Sequence, residues 1–308
     1  MDYFYLIFGF LLLFFGGEFL VRSSIDLAFR FKVSKLVIGV TIVSLATSAP
    51  ELLVSLESVY SGHSDIAFGN VIGSNIANIG LVLALTCMVD PIIADRNTIR
   101  TNYPFMILCS VLLFLSMFFT DGIPLWVGGV FIVLLTLFLL YTIRKSDNNF
   151  IHEDIEVESI SLTKSILTLI GGSFGLYFGA DLFINGAVSI AYSFGVSERI
   201  ISLSLVAIGT SIPELAASLI AASKKQNSIA LGNLIGSNIF NILAVLGVTS
   251  LFSDLVVLDQ KLIQVDILWM LGFAILIFPL LKWGKKNMLS KKEGVIILVS
   301  YLAYLYFI

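Results

Sequence analysis

The chain has 308 residues, of which 58% are hydrophobic and 13% charged, with a mean hydropathy of +1.00 and a formal net charge of −3. A soluble domain carries about 25% charged residues, so this composition excludes a soluble globular fold. No basic stripe interleaved with aromatics is present, which excludes nucleic acid as a partner.

The charges fall between long apolar runs, the pattern of a protein whose solvent is the lipid bilayer. The first run, 3–28, has no basic stretch before it and no small-x-small cleavage site after it, so it reads as a retained helix and not as a signal peptide. Nine further spans of about 20 residues follow at 35–60, 66–89, 102–119, 124–143, 164–190, 198–222, 229–252, 265–282 and 291–307. Cys87 and Cys109 both lie in apolar runs and are expected to be buried thiols, in neither a disulfide nor a metal site. The predicted fold class is therefore an all-α membrane protein with ten transmembrane helices.

One conspicuously polar segment, 144–163, separates the fifth span from the sixth and carries Asp147, Glu153, Asp154, Glu156 and Glu158. It lacks the ligand spacing of an EF-hand and reads as a solvated linker in preference to a regulatory calcium loop. The chain thus divides into 1–143, the linker 144–163, and 164–308. All of the 18 Lys and Arg residues except Arg199 and Lys261 fall on or near the odd-numbered connections. By the positive-inside rule this places the linker in the cytoplasm and both termini outside, in a multi-pass protein of the cell membrane.

The two parts are copies. VSLATSAPELLVS (43–55) matches VAIGTSIPELAAS (206–218), and GNVIGSNIANI (69–79) matches GNLIGSNIFNI (232–242), both at an offset of 163 residues. Gly17-Glu18 and Ala180-Asp181 align at the same offset, as do Val33-Ser34 and Val196-Ser197. Each copy holds five spans, an odd number, so the second enters the membrane from the opposite side. The predicted architecture is two five-helix inverted-topology repeats, which places a substrate site at their interface near the bilayer midplane.

The second and seventh spans carry Thr47-Ser48-Ala49-Pro50-Glu51 and Thr210-Ser211-Ile212-Pro213-Glu214. A proline inside a helix frees the carbonyl four residues earlier, here Ala46 and Gly209, and a bare carbonyl in lipid must line a cavity or bind something. With span two starting near Leu36, Glu51 lies about 22 Å along it at 1.5 Å per residue; a carboxylate at such depth is a functional-site hypothesis by default. Thr47 and Ser48 are three to four residues from Glu51, so hydroxyls and carboxylate are expected on one face. Asn70, Ser74 and Asn78 form a second polar stripe at four-residue spacing, and Asn233, Ser237 and Asn241 repeat it. The alternative for such a stripe is helix–helix glue, helped by Gly69, Gly73, Gly232 and Gly236 at small-xxx-small spacing. The donors are all oxygen, which suits hard cations such as calcium and sodium and not zinc or copper. Glu18 and Asp181 are candidates for an access path or for helix contacts, Glu18 being able to pair with Arg22. Glu57 sits near the interface, and neither His63 nor His152 belongs to a metal cluster.

These motifs resemble those of the sodium/calcium exchanger family of the cation/calcium antiporter superfamily, whose repeats carry G-T-S-x-P-E followed by G-S-N-x-x-[ND]. Here they read A-T-S-A-P-E (46–51) with G-S-N-I-A-N (73–78), and G-T-S-I-P-E (209–214) with G-S-N-I-F-N (236–241). The resemblance covers nearly the whole chain. It implies an ion site formed by Thr47, Ser48, Glu51, Ser74 and Asn78 with Thr210, Ser211, Glu214, Ser237 and Asn241, and by the backbone carbonyls of Ser44 and Ala207. Ala46 stands where the first motif usually has glycine. Asn241 stands where some members have aspartate, leaving two carboxylates instead of three. The function so implied is sodium/calcium antiport by alternating access, with no cofactor and with calcium and sodium as the transported ions. The alternative is calcium/proton antiport, in which the carboxylates would titrate. An enzyme using Ser48 or Ser211 as nucleophile is disfavoured, because no histidine or lysine base lies in these spans.

Overall fold

The computed structural model describes residues 2–146, 161–195, 209–283 and 287–307. The helices are α1 (Asp2–Arg30), α2 (Lys35–Thr47), α3 (Ala49–Tyr60), α4 (Ser64–Val89), α5 (Thr98–Thr120), α6 (Leu125–Ser146), α7 (Leu162–Ser193), α8 (Ile212–Ser223), α9 (Asn227–Ser250), α10 (Leu262–Lys282) and α11 (Lys291–Phe307). Seven of them are long and apolar enough to cross a membrane, or eight if α2 and α3, which meet at 41°, form one broken span. The remaining two are shorter: α8 is apolar with 12 residues, and α11 has 17. The predicted span 198–222 survives as α8, its first part lying outside the described residues.

Two other expectations change. The polar stretch between the two parts is shorter than 144–163, because Arg144, Lys145 and Ser146 continue α6 while Leu162 and Thr163 open α7. Ser161 caps α7, accepting the Lys164 N–H at 3.3 Å. The rest of that segment lies outside the described residues. The fold is also not purely helical. Ile92–Ile93 (β1) pairs with Met288–Leu289 (β4), and Gly122–Ile123 (β2) with Leu255–Val256 (β3), both antiparallel. Each two-residue ladder pairs backbone groups of connections that would otherwise be left unsatisfied, and a strand that short has no periodicity to read.

Helices α4 and α9 form the centre: 78% and 94% of their apolar stretches are buried, against 33% for α1 and 22% for α7. Helices α1 and α7 pack along each other through glycines. A methyl group on Gly16 would lie 2.8 Å from the Leu176 backbone nitrogen, and one on Gly179 would lie 2.8 Å from that of Leu13. Close approach through small residues is how apolar helices gain contact where lipid offers no hydrophobic drive. Helix α9 meets α2 in the same way, a methyl on Gly232 falling 2.7 Å from the Leu36 carbonyl oxygen. Helices α3 and α8 both end on a left-handed residue, Gly62 (φ +81°) in one and Lys225 (φ +57°) in the other. The second costs about 1–2 kcal/mol that glycine avoids, so the tertiary setting holds the turn in both halves.

Candidate functional site

Removing a carboxylate from water costs several kcal/mol unless another group compensates its charge. Glu51 and Glu214 are both fully buried. Each stands in the first turn of its helix directly after a proline. Proline is favourable there, since the first-turn N–H groups have no intrahelical partner in any case. The preceding serines share one backbone geometry, φ −87° and ψ 3° at both Ser48 and Ser211. The first turns of α3 and α8 therefore place the positive helix ends beside the two carboxylates.

Thr47 and Ser48 do not group with Glu51, as the three- and four-residue spacing predicts; they cross to the other half. Ser48 Oγ donates to Glu214 Oε1 at 3.5 Å. Thr47 Oγ1 donates to Asn233 Oδ1 at 3.1 Å and lies 3.3 Å from Ser237 Oγ. Ser74 and Thr210 are hydrogen-bonded at 3.0 Å. Ser74 faces Glu51, while Thr47, Ser48 and Ser237 face Glu214. The reason is the break after Thr47: the helical spacing rule holds only within an unbroken helix, and the 41° bend turns the hydroxyls away from the glutamate that follows.

Several buried atoms in this cluster have no hydrogen-bond partner among the described residues: both oxygens of Glu51, Glu214 Oε2, Asn241 Oδ1, Ser211 Oγ, and both amide atoms of Asn78. Native interiors leave few such groups, and each calls for an explanation. Asn78 and Asn241 open matching wide π-helical turns, Asn78–Leu83 and Asn241–Leu246, a distortion frequent at functional sites.

The implied carbonyls fare differently. The Ser44 carbonyl is not bare: it accepts the Ser48 N–H at 2.9 Å and the Thr47 hydroxyl at 3.4 Å, because the helix before the break is still intact there. A carbonyl has two lone pairs, so coordination would have to share it. Ala207 lies outside the described residues, while Gly209 is buried and Ala46 half-buried. Glu18 pairs with Lys224, the residue that follows α8, and Asp181 is exposed and accepts from Asn185 at 3.2 Å. Glu57 is exposed. Cys87 and Cys109 are free and buried. Among the described residues no three His, Cys, Asp or Glu side chains cluster.

Sequence reasoning missed the supports. Asn70 Nδ2 donates to Ser55 Oγ at 3.0 Å and to the Glu51 carbonyl at 3.1 Å; Asn233 Nδ2 donates to Ser218 Oγ at 3.2 Å. Ser55 and Ser218 close the two copied ATSAPELLVS-type segments four residues after each glutamate, so repeat identity was the available signal. Asn75 was missed as well, and it bridges the halves.

The model of the sodium/calcium exchanger protein family matches residues 1–144 and 164–308. An uncharacterised membrane protein of Methanocaldococcus jannaschii is 36% identical over 301 residues, covering 97% of this chain and 95% of that protein. A putative antiporter of Alkalimonas amylolytica, CaxA, is 36% identical over 306 residues, with the same coverages of 97% and 95%. A solved structure of the sodium–calcium exchanger NCX_Mj superposes with a TM-score of 0.83 at 33% identity, over 99% of this chain and 97% of that one.

Proposed function

The chain belongs to the sodium/calcium exchanger family, and on that premise we propose that it is an antiporter exchanging sodium for calcium by alternating access, with Glu51 and Glu214 as ligands shared by the two ions. The observation that carries this reading is the set of buried oxygens without partners, on Glu51, Glu214, Asn241, Asn78 and Ser211, drawn from both halves. Oxygen-only surroundings suit hard cations. Two carboxylates balance one calcium ion or two sodium ions, so the ions compete for the same donors. A site left empty keeps two uncompensated charges in a low-dielectric interior, which opposes the conformational switch and couples the two fluxes.

The ligand set we propose is Thr47, Ser48, Glu51, Ser74 and Asn78 with Thr210, Ser211, Glu214, Ser237 and Asn241, together with the Ser44 and Ala207 carbonyls. In this reading the chain has ten spans in two inverted five-helix repeats, 1–143 and 164–308, with the acidic linker in the cytoplasm and both termini outside. The fold match to an exchanger named for sodium and calcium supports it.

Proteoliposomes loaded with sodium test the proposal. Calcium uptake driven by the outward sodium gradient at clamped pH is the expected result. Uptake that requires only a pH gradient establishes calcium/proton antiport instead, in which the two buried carboxylates take and release protons.

A further inference from the structure

An asparagine serves a hard cation only when its oxygen, and not its NH2, faces the ion. At Asn241 the choice is made by a neighbour. The backbone carbonyl of Asn238 can only accept, so the Asn75 atom 3.3 Å from it is the amide nitrogen Nδ2. Asn75 Oδ1 is thereby directed elsewhere, and 3.2 Å away it accepts from Asn241 Nδ2. Asn241 has then spent its NH2, and its Oδ1 remains fully buried with no partner. Asn241 follows Ser237 by four residues on α9, and Ser237 meets Thr47 and faces Glu214, so that oxygen shares the polar face of the site.

The matching residues in the other half do not do this. Asn238, which corresponds to Asn75, turns back on its own helix and donates to the Leu234 carbonyl at 2.7 Å. Asn78, which corresponds to Asn241, has no partner for either amide atom among the described residues. The chain of forced hydrogen bonds thus exists once, on the side where an amide stands in place of a carboxylate. A carboxylate presents oxygen in either orientation and needs no such guide.

We propose that Asn75 is a positioning residue that orients the Asn241 amide so that its oxygen faces the transported cation. This rests on the reading of Glu51 and Glu214 as cation ligands. The test uses the full chain in sodium-loaded proteoliposomes, with calcium KM and maximal rate measured separately. Asn75→Ala is expected to raise the calcium KM roughly tenfold or more, the usual effect of losing a group that orients a ligand, with the maximal rate largely kept. In the Asn241→Asp background the same substitution is expected to leave KM close to that of Asn241→Asp alone, because a carboxylate needs no orienting. A calcium KM unchanged by Asn75→Ala overturns the proposal, and so does an equal rise in both backgrounds, which marks a merely structural role. If Asn75→Ala does not fold into the membrane, Asn75→Ser, too short to reach Asn241, enters the same comparison with the same outcomes. Glu51→Gln run alongside separates the two failures: full flux in that variant removes the cation-site reading itself, whereas lost flux in Glu51→Gln with a normal Asn75→Ala removes only the role of Asn75.

Discussion

The two halves share their motif helices almost residue for residue, yet their surroundings differ. Helix α8 is covered by α1: Gly17 lies where any added methyl would meet Ile220, and Glu18 pairs with Lys224 at the end of α8. Among the described residues helix α3, the counterpart of α8, has no comparable cover from α7. Among the described residues Asp181, the counterpart of Glu18, accepts from Asn185 of its own helix, and Ser61 stands where the other half has Lys224. A molecule built from two near-equal copies can occupy two states of nearly equal energy, each closing one end. Here one end is held by packing and an ion pair, and the other lacks the base for an equivalent pair. On the proposed topology the held end is the cytoplasmic one.

The largest expected effect tests whether the halves are equal at the site itself. Glu51→Gln and Glu214→Gln should each reduce sodium-driven calcium flux by roughly 100-fold or more, since loss of a supporting group alone costs 10–100-fold. Flux retained by one of the two variants breaks the equivalence of the halves. Next is the tight contact of α2 with α9. A methyl on Gly236 would lie 2.1 Å from Ser44 Oγ and 2.7 Å from the Val40 carbonyl oxygen. Gly236→Ala should therefore cost about 1–3 kcal/mol, seen as an apparent Tm lowered by several degrees in thermal unfolding of the detergent-purified protein. An unchanged Tm would mean that α2 and α9 separate easily.

The ion pair sharpens the asymmetry further. Glu18→Gln or Lys224→Met should alter the ratio of calcium KM between right-side-out and inside-out vesicles about twofold to fivefold, the range of a partly exposed pair. The exchanged pair Glu18→Lys with Lys224→Glu should restore the ratio, and Asp181→Asn should leave it unmoved. An Asp181→Asn effect as large as that of Glu18→Gln would remove the distinction between the ends. The smallest effect concerns the matching supports. Ser55→Ala and Ser218→Ala each remove one hydrogen bond to an asparagine, part-buried in the first case and buried in the second, and should each lower stability by about 1 kcal/mol, measurable by the same unfolding. A large difference between them would show that the supports are not equivalent.

Much of this was legible in the chain because its signals are local and doubled. Apolar runs, the two proline breaks, the four-residue stripes and the constant offset of 163 residues can be read from one dimension, and lipid makes them strict by penalising every unpaired polar group. The partners of the hydroxyls were not legible. Spacing places Ser48 beside Glu51, but the bend at the break sends it to Glu214.

By itself the sequence determined the membrane class, the duplication, and two carboxylates with their oxygen-rich neighbours, since each follows from residue type and period. Only the tertiary structure decided which hydroxyl serves which carboxylate, that α1 covers α8 while α7 leaves α3 uncovered, and that Asn75 directs the Asn241 amide. Those depend on contacts between residues 163 or more positions apart, and no periodicity within one helix reports the angle at which another helix meets it.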